Sequence, residues 1–218
     1  KILNSKSTMK ISLREVFPAE GYLPYKKFIS DITDSISNRF PITIVYKPFD
    51  DSKSTVLVHP YYVCESNSRW YVIGYISDVK QKNSLFIKHN RINKINNLAL
   101  ERISKITVEN DIEYIDSTVD VENILENSFG PSISNWENPE VIDLVVKTIP
   151  SMQKHFETMP LKFNTQQTNK GCVFTYKNTV VSNELFYTLR QYGDAIEVLS
   201  PQFIRERFFD DIKKVHKK

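Results

Sequence analysis

The chain has 218 residues, 40% apolar and 25% charged, with a formal net charge of +3 and only five glycines. That length and balance suit one large or two small globular domains and exclude a low-complexity or disordered chain. No uncharged apolar run approaches the ~18 residues of a membrane span and no secretory leader opens the sequence, so a cytoplasmic protein without a membrane partner is expected. Because the first residue is Lys1 and not Met, the sequence reads as a piece of a longer one.

In chain order, "FISDITDSISNRF" places Phe28, Ile29, Ile32 and Ile36 at helical spacing, and Pro41 ends the helix. Residues 1–37 are therefore read as an N-terminal helical linker. Three segments rich in β-branched and aromatic residues follow: Ile42 to Phe49, Ser54 to Ser66 and Arg69 to Ser77. The polar stretches "DDSK" and "ESNS" divide them, which predicts an antiparallel meander. "NSLFIKHNRINKINN" and "LALERISKITVE" continue as one more strand, a basic loop and a last strand, so 38–109 is expected to form a small β-barrel or curled sheet.

Residues 110–139 read as an acidic connector holding a short helix candidate, "VDVENILENSFG". In 140–218, "VIDLVVKTI", "GCVFTYKN" and "AIEVL" are strands, alternating with helices at "PSMQKHFETMP", at "NELFYTLRQY" and after Pro201. Ser182 is a cap for the second of these helices and Gly193 closes it. The alternation predicts a compact sandwich, and the whole chain an α+β protein.

Charge divides along the same line. Residues 1–109 hold 17 Lys and Arg against 10 Asp and Glu, whereas 110–218 hold 12 against 16. A basic first half favours an anionic partner, nucleic acid or nucleotide; a solvated charged face is the alternative. No glycine-rich phosphate loop, G-x-S-x-G elbow, H-E-x-x-H or C-x-x-C is present, so neither an enzyme nor a bound cofactor or metal is expected. Cys64 and Cys172 read as reduced, buried thiols. His59 and Cys64, five apart on a predicted strand, fall on opposite faces by alternation, which argues against a nucleophilic pair.

"HPYYVCESNSRWYVIGY" followed by "LALERI" resembles the WYL-domain family of bacterial transcriptional regulators. The matching pieces occur in order: Tyr46 and Lys47, Pro60 and Tyr61, Trp70, Tyr71, Val72 and Gly74, then Glu101, Arg102 and Ile103. The second half, with "PLKFNTQ" and "YGDAIEVLSPQFIRE", is similar to the family's C-terminal extension, WCX. The resemblance implies an SH3-like or Sm-like β-barrel, followed by a ferredoxin-like α/β domain that here would span 140–218. A DNA-binding winged helix-turn-helix usually precedes these; none is evident in this chain. It further implies a homodimeric sensor whose basic and aromatic barrel surface takes a nucleic acid or nucleotide. Val72 replaces the signature leucine, Glu101 the commoner aspartate, and Asn96 stands where a basic residue is often found. The stretch 80–95 is longer than usual, and its Lys88 and Arg91 are candidates to supply that charge.

Arg102 leads the candidate ligand residues, since a guanidinium fork matches phosphate oxygens and its predicted strand is otherwise apolar. A structural ion pair with Glu101 is its competing role. Lys47 and His59 would add charge and a hydrogen bond, and Tyr61 a stacking face. Each is equally readable as an ordinary surface or core residue. Trp70 reads as a core anchor, and Tyr71 as a core ring whose hydroxyl reaches a ligand or a polar neighbour. Lys88, Arg91 and Lys94 form either a funnel for phosphates or a solvated loop. The leading reading is the ligand-sensing and assembly region of a transcriptional regulator. The rival is an accessory module docking protein or RNA to regulate a nuclease or defence enzyme.

Overall fold

The computed structural model describes residues 26–47, 53–159, 161 and 167–215. It divides after Thr118 into two compact units, a boundary inside the acidic stretch 110–139.

The first unit opens with helix α1 (Lys26–Asn38), which buries Phe28 and Ile32 in the core and packs Ile29 and Ile36 at its margin. These are the apolar positions of its 3.6-residue period, so the helix belongs to the domain core. Arg39 ends it at φ +58°, and the Phe40 N–H closes on the Ser35 carbonyl at 2.9 Å. Strands β1 (Ile42–Tyr46), β2 (Ser54–Ser66) and β3 (Arg69–Val79) make the expected meander. Asn67 and Ser68, both at positive φ, form the two-residue turn between the last two, matching the twist of the strands they join.

The apolar stretch "LFIK" is helix α2 (Leu85–Lys88), not a strand. Ser84 decides this: its Oγ accepts the Phe86 N–H at 3.2 Å and lies 2.7 Å from the buried Ser54 Oγ, capping the turn from inside the core. Strand β4 (Lys94–Ala99), a 3-10 turn at Leu100–Arg102 and β5 (Ile103–Val108) complete a five-stranded antiparallel sheet, ordered β4-β3-β2-β1-β5. β4 and β5 are its two edges, joined through the turn and not by a ladder, so the sheet is open where closure was expected. Trp70, Val72 and Ile76 face the core, with Gly74 between them. A Cβ on Gly74 would stand 2.6 Å from the His59 carbonyl oxygen, so only glycine lets β2 and β3 approach here.

Two bulges shift the alternation. The pairing of β2 with β3 slips at Leu57/Val58 and again at Pro60/Tyr62, so the core positions on β2 are Val56 and Val58 before the second bulge and Val63 after it. Strict alternation placed His59 and Cys64 on opposite faces; the extra residue puts both on the face away from this core.

The second unit begins at Val119 and contains α3 (Val121–Asn127), β6 (Val141–Thr148), α4 (Gln153–Thr158), β7 (Gln167–Lys170), β8 (Val173–Val180), α5 (Asn183–Tyr192), β9 (Ile196–Ser200) and α6 (Gln202–Val215). Its sheet is antiparallel, ordered β7-β8-β6-β9. Strand β7, "QTNK", has no hydrophobic pattern for a sequence reading to find; hairpin pairing with β8 makes it a strand. Residues 162–166, part of the WCX-like "PLKFNTQ", lie outside the described residues. The core joins Leu144 and Val146 of β6 to Phe174, Leu185, Phe186, Val198, Ile204 and Phe208. Within the former connector, Val121, Ile124, Ile133 and Trp136 are buried. The buried Glu184 carboxylate fastens this segment to α5, accepting the Ser132 hydroxyl at 2.6 Å and its N–H at 3.2 Å.

Candidate functional site

The last residue of β1 brings the candidate site together. Ile42, Ile44 and Tyr46 share the buried face of the strand, so the phenol of Tyr46 points inward while Lys47, one residue on, is exposed. The Tyr46 hydroxyl is hydrogen-bonded to the Ala99 backbone and the Arg102 side chain, and feels the charge of Arg91 as well. Burial pushes its pKa up and outweighs the two guanidinium groups, which pull it down, so the hydroxyl stays neutral.

Arg91 arrives from the segment between β3 and β4. Its N–H donates to the Phe86 carbonyl at 2.8 Å, and its Nε donates to Asn96 Oδ1 at 2.7 Å. A weaker bond runs to the Asn97 carbonyl at 3.4 Å, and the guanidinium lies over the Phe86 ring, 5.3 Å from its centroid. Phe86 in turn meets Tyr46 edge-on, with centroids 5.7 Å apart. Burial lowers the Arg91 pKa, Tyr46 opposes that shift, and Arg102 adds to it as a second positive charge. Two guanidinium groups thus converge on one neutral hydroxyl, and Arg91 is held by a carboxamide, two carbonyls and an aromatic ring. Like charges gathered in a partly desolvated place repel, and an anion between them relieves the repulsion while filling both forks.

The sequence candidates divide between this cluster and another. Arg102 and Arg91 belong to the first, and Lys47 adjoins it through its backbone, its N–H donating to the Arg102 carbonyl at 2.9 Å while its side chain is exposed. Glu101 pairs with Arg69, at 3.7 Å. Lys88 is exposed at the end of α2.

His59 and Tyr61 are committed elsewhere. The His59 ring is 1% exposed; its Nε2 lies 2.9 Å from Ser77 Oγ and its Nδ1 accepts the Ile115 N–H at 3.0 Å. Tyr61 donates to the Ile115 carbonyl at 3.0 Å, Tyr114 donates to the Pro60 carbonyl, and Arg39 pairs with Asp116. Burial lowers the His59 pKa, and burial helps push that of Tyr114 up to about 12. With both nitrogens bonded, His59 clasps the strap 113–116 to the sheet and has no nitrogen left to activate Cys64. Tyr71 is half-buried, opposite Cys64 on β2 and Ala99 on β4.

Sequence reasoning ranked Lys47 above Tyr46 and missed Phe86 and Asn96 as site residues. Alternation could have found Tyr46, since it completes the buried series of β1. Asn96 stood out in the sequence only as a departure from the resembled family's basic residue, and its contact with Arg91 depends on the fold of the segment between them. Among the described residues, no cluster of three or more His, Cys, Asp or Glu side chains could hold a metal ion, and no helix is long and apolar enough to cross a membrane.

Residues 27–108 match the family model of the WYL domain. No curated protein matches the sequence. Among solved structures, the chain is similar to a CRISPR Cas-related protein at 12% identity and a TM-score of 0.50, covering 88% of this chain and 52% of that one. It is also similar to proteasome accessory factor B/C (PafBC) of Arthrobacter aurescens, at 12% identity and a TM-score of 0.36, covering 84% of this chain and 26% of that one. The chain therefore spans about half the length of the first and about a quarter of the second, and at 12% identity the likeness to the first concerns fold alone.

Proposed function

We propose that the first unit is a non-enzymatic ligand sensor that binds an anion, a nucleic acid or nucleotide, at Tyr46, Arg91 and Arg102. The observation that carries this reading is that the Arg91 guanidinium lies over the Phe86 ring, which meets buried Tyr46 edge-on, while Arg102 acts on the same hydroxyl. The WYL-domain match over 27–108 is consistent with it. We assign the open five-stranded sheet to the SH3-like or Sm-like class, since a 3-10 turn links its two edge strands. The second unit, with its β7-β8-β6-β9 order, is assigned to a ferredoxin-like WCX domain. In the full regulator, a cytoplasmic homodimer, ligand binding would shift the arrangement of attached DNA-binding domains.

The test is a titration of labelled single-stranded DNA, single-stranded RNA and ATP against wild type and Arg102→Ala at several salt concentrations. Wild type should bind at least one probe. For a strand, Arg102→Ala should flatten the salt dependence by about 0.7 in log–log slope, the share of one phosphate contact. Absence of binding by all three overturns the ligand class. Binding that Arg102→Ala leaves unaltered removes Arg102 from the site, and RNA binding that survives changes at both arginines would favour a docking module.

A further inference from the structure

Arg91 and Asn96 hold each other through two hydrogen bonds, and a third ties Asn96 to Lys94. While Asn96 Oδ1 accepts from the Arg91 Nε, its Nδ2 donates to the carbonyls of Arg91 and Lys94, both at 2.8 Å. Asn96 is 5% exposed and lies on β4, opposite Gly74 of β3, so its backbone is fixed by the sheet. The chain from Lys80 to Asn93 carries Arg91 and is anchored at its other end by the capped turn of α2 and the buried Phe86. One carboxamide therefore ties down the returning end of this segment and sets where the guanidinium goes. A neutral acceptor fixes the direction of Nε without cancelling the charge, whereas a carboxylate would fix it and neutralise it.

We propose that Asn96 is the positioning residue that aims Arg91 into the Tyr46–Arg102 site, so that the segment between β3 and β4 supplies half of the site's charge. This rests on the anion-site reading above. Asn96 need not touch the ligand; it acts through Arg91. Since the Asn96 side chain ends 2.7 Å from the Arg91 Nε, a guanidinium carried by position 96 can take over the space that Arg91→Ala vacates.

The test extends the same titration to Arg91→Ala, Asn96→Ala, Asn96→Asp and the double variant Arg91→Ala/Asn96→Arg, with thermal midpoints for each. Asn96→Ala should match Arg91→Ala, about tenfold weaker than wild type. With a single strand as probe, the salt slope should also be flatter by about 0.7, a change that partial unfolding alone would not produce. Asn96→Asp should keep the wild-type Arg91 Nε–H resonance in NMR spectra yet bind as weakly as Asn96→Ala, because it retains the contact and cancels the charge. The double variant should regain affinity relative to Arg91→Ala. If Arg91→Ala and Arg102→Ala weaken binding while Asn96→Ala and Asn96→Asp bind as wild type, the positioning role is overturned and the anion site stands. If neither arginine matters, or wild type binds no probe, the site reading fails and takes this inference with it.

Discussion

Two polar clusters in the first unit invite comparison, because the sequence offered residues from both as ligand contacts. Around His59 the hydrogen bonds close on themselves: both ring nitrogens are taken, Tyr61 and Tyr114 reach backbone carbonyls, and Arg39 meets Asp116. Around Tyr46 the geometry is equally ordered, but two cations are drawn together and Arg91 is matched by neutral partners. The first cluster uses its polar groups to hold the strap 113–116. The second gathers Arg91 and Arg102 about one hydroxyl, the feature on which the proposed anion site rests. A buried polar residue is thus evidence of function only after its partners are counted.

Substitutions can separate the two clusters, and the largest effect should come from Gly74→Ala. Its Cβ would meet the His59 carbonyl oxygen at 2.6 Å and Val58 Cγ1 at 2.7 Å, so β2 and β3 must part. A loss of about 3 kcal/mol is expected in urea unfolding, and an unchanged midpoint would show that the backbones yield without cost.

His59→Ala should destabilise by about 2 kcal/mol, since the Ile115 N–H loses its acceptor. Hydrogen exchange at Ile115 should accelerate, while oligonucleotide affinity at the other cluster stays within about twofold because the sites are separate. Loss of both together would merge the clusters into one site.

The pH dependence has a definite sign. Burial lowers the His59 pKa in the folded chain, so just below the unfolded value of about 6.5 the unfolded chain binds a proton that the folded one refuses. This contribution to stability is present above about pH 6.5 and is lost as pH falls from there through the folded value. His59→Gln should flatten that acid limb in melts recorded from pH 7 downward, and a limb of unchanged steepness would assign it to other groups.

The smallest effects are expected at Tyr46 and Lys88. Tyr46→Phe removes an uncharged hydroxyl and should weaken oligonucleotide binding about threefold, less than loss of either arginine. Lys88→Ala, at an exposed helix end, should change it by less than about twofold. A larger effect at Lys88 would extend the site along α2.

Much of the architecture was legible because it rests on periodic patterns. The α1 stripe and the three-strand meander follow from spacing, and the core position of Trp70 from its residue type. The failures lie where one local interaction overrides a pattern. Ser84 turned "LFIK" into a helix, the bulge before Tyr62 reversed the faces of β2, and hairpin pairing made a strand of "QTNK". In the site, Arg102 and Arg91 were named from charge and position, whereas Tyr46 and Asn96 required knowing which way strands β1 and β4 face.

The sequence by itself determined the class of most elements, the basic character of the first half and the WYL-like order of aromatic and basic residues, because these depend on composition and on spacings of a few residues. Only the tertiary structure decided which polar groups satisfy each other. His59 and Ile115 are 56 residues apart and Tyr46 and Arg91 come from well-separated parts of the sheet-forming stretch, yet each pair meets in the fold. Hydrogen bonds and charge act over a few ångströms of space, whatever the separation along the chain.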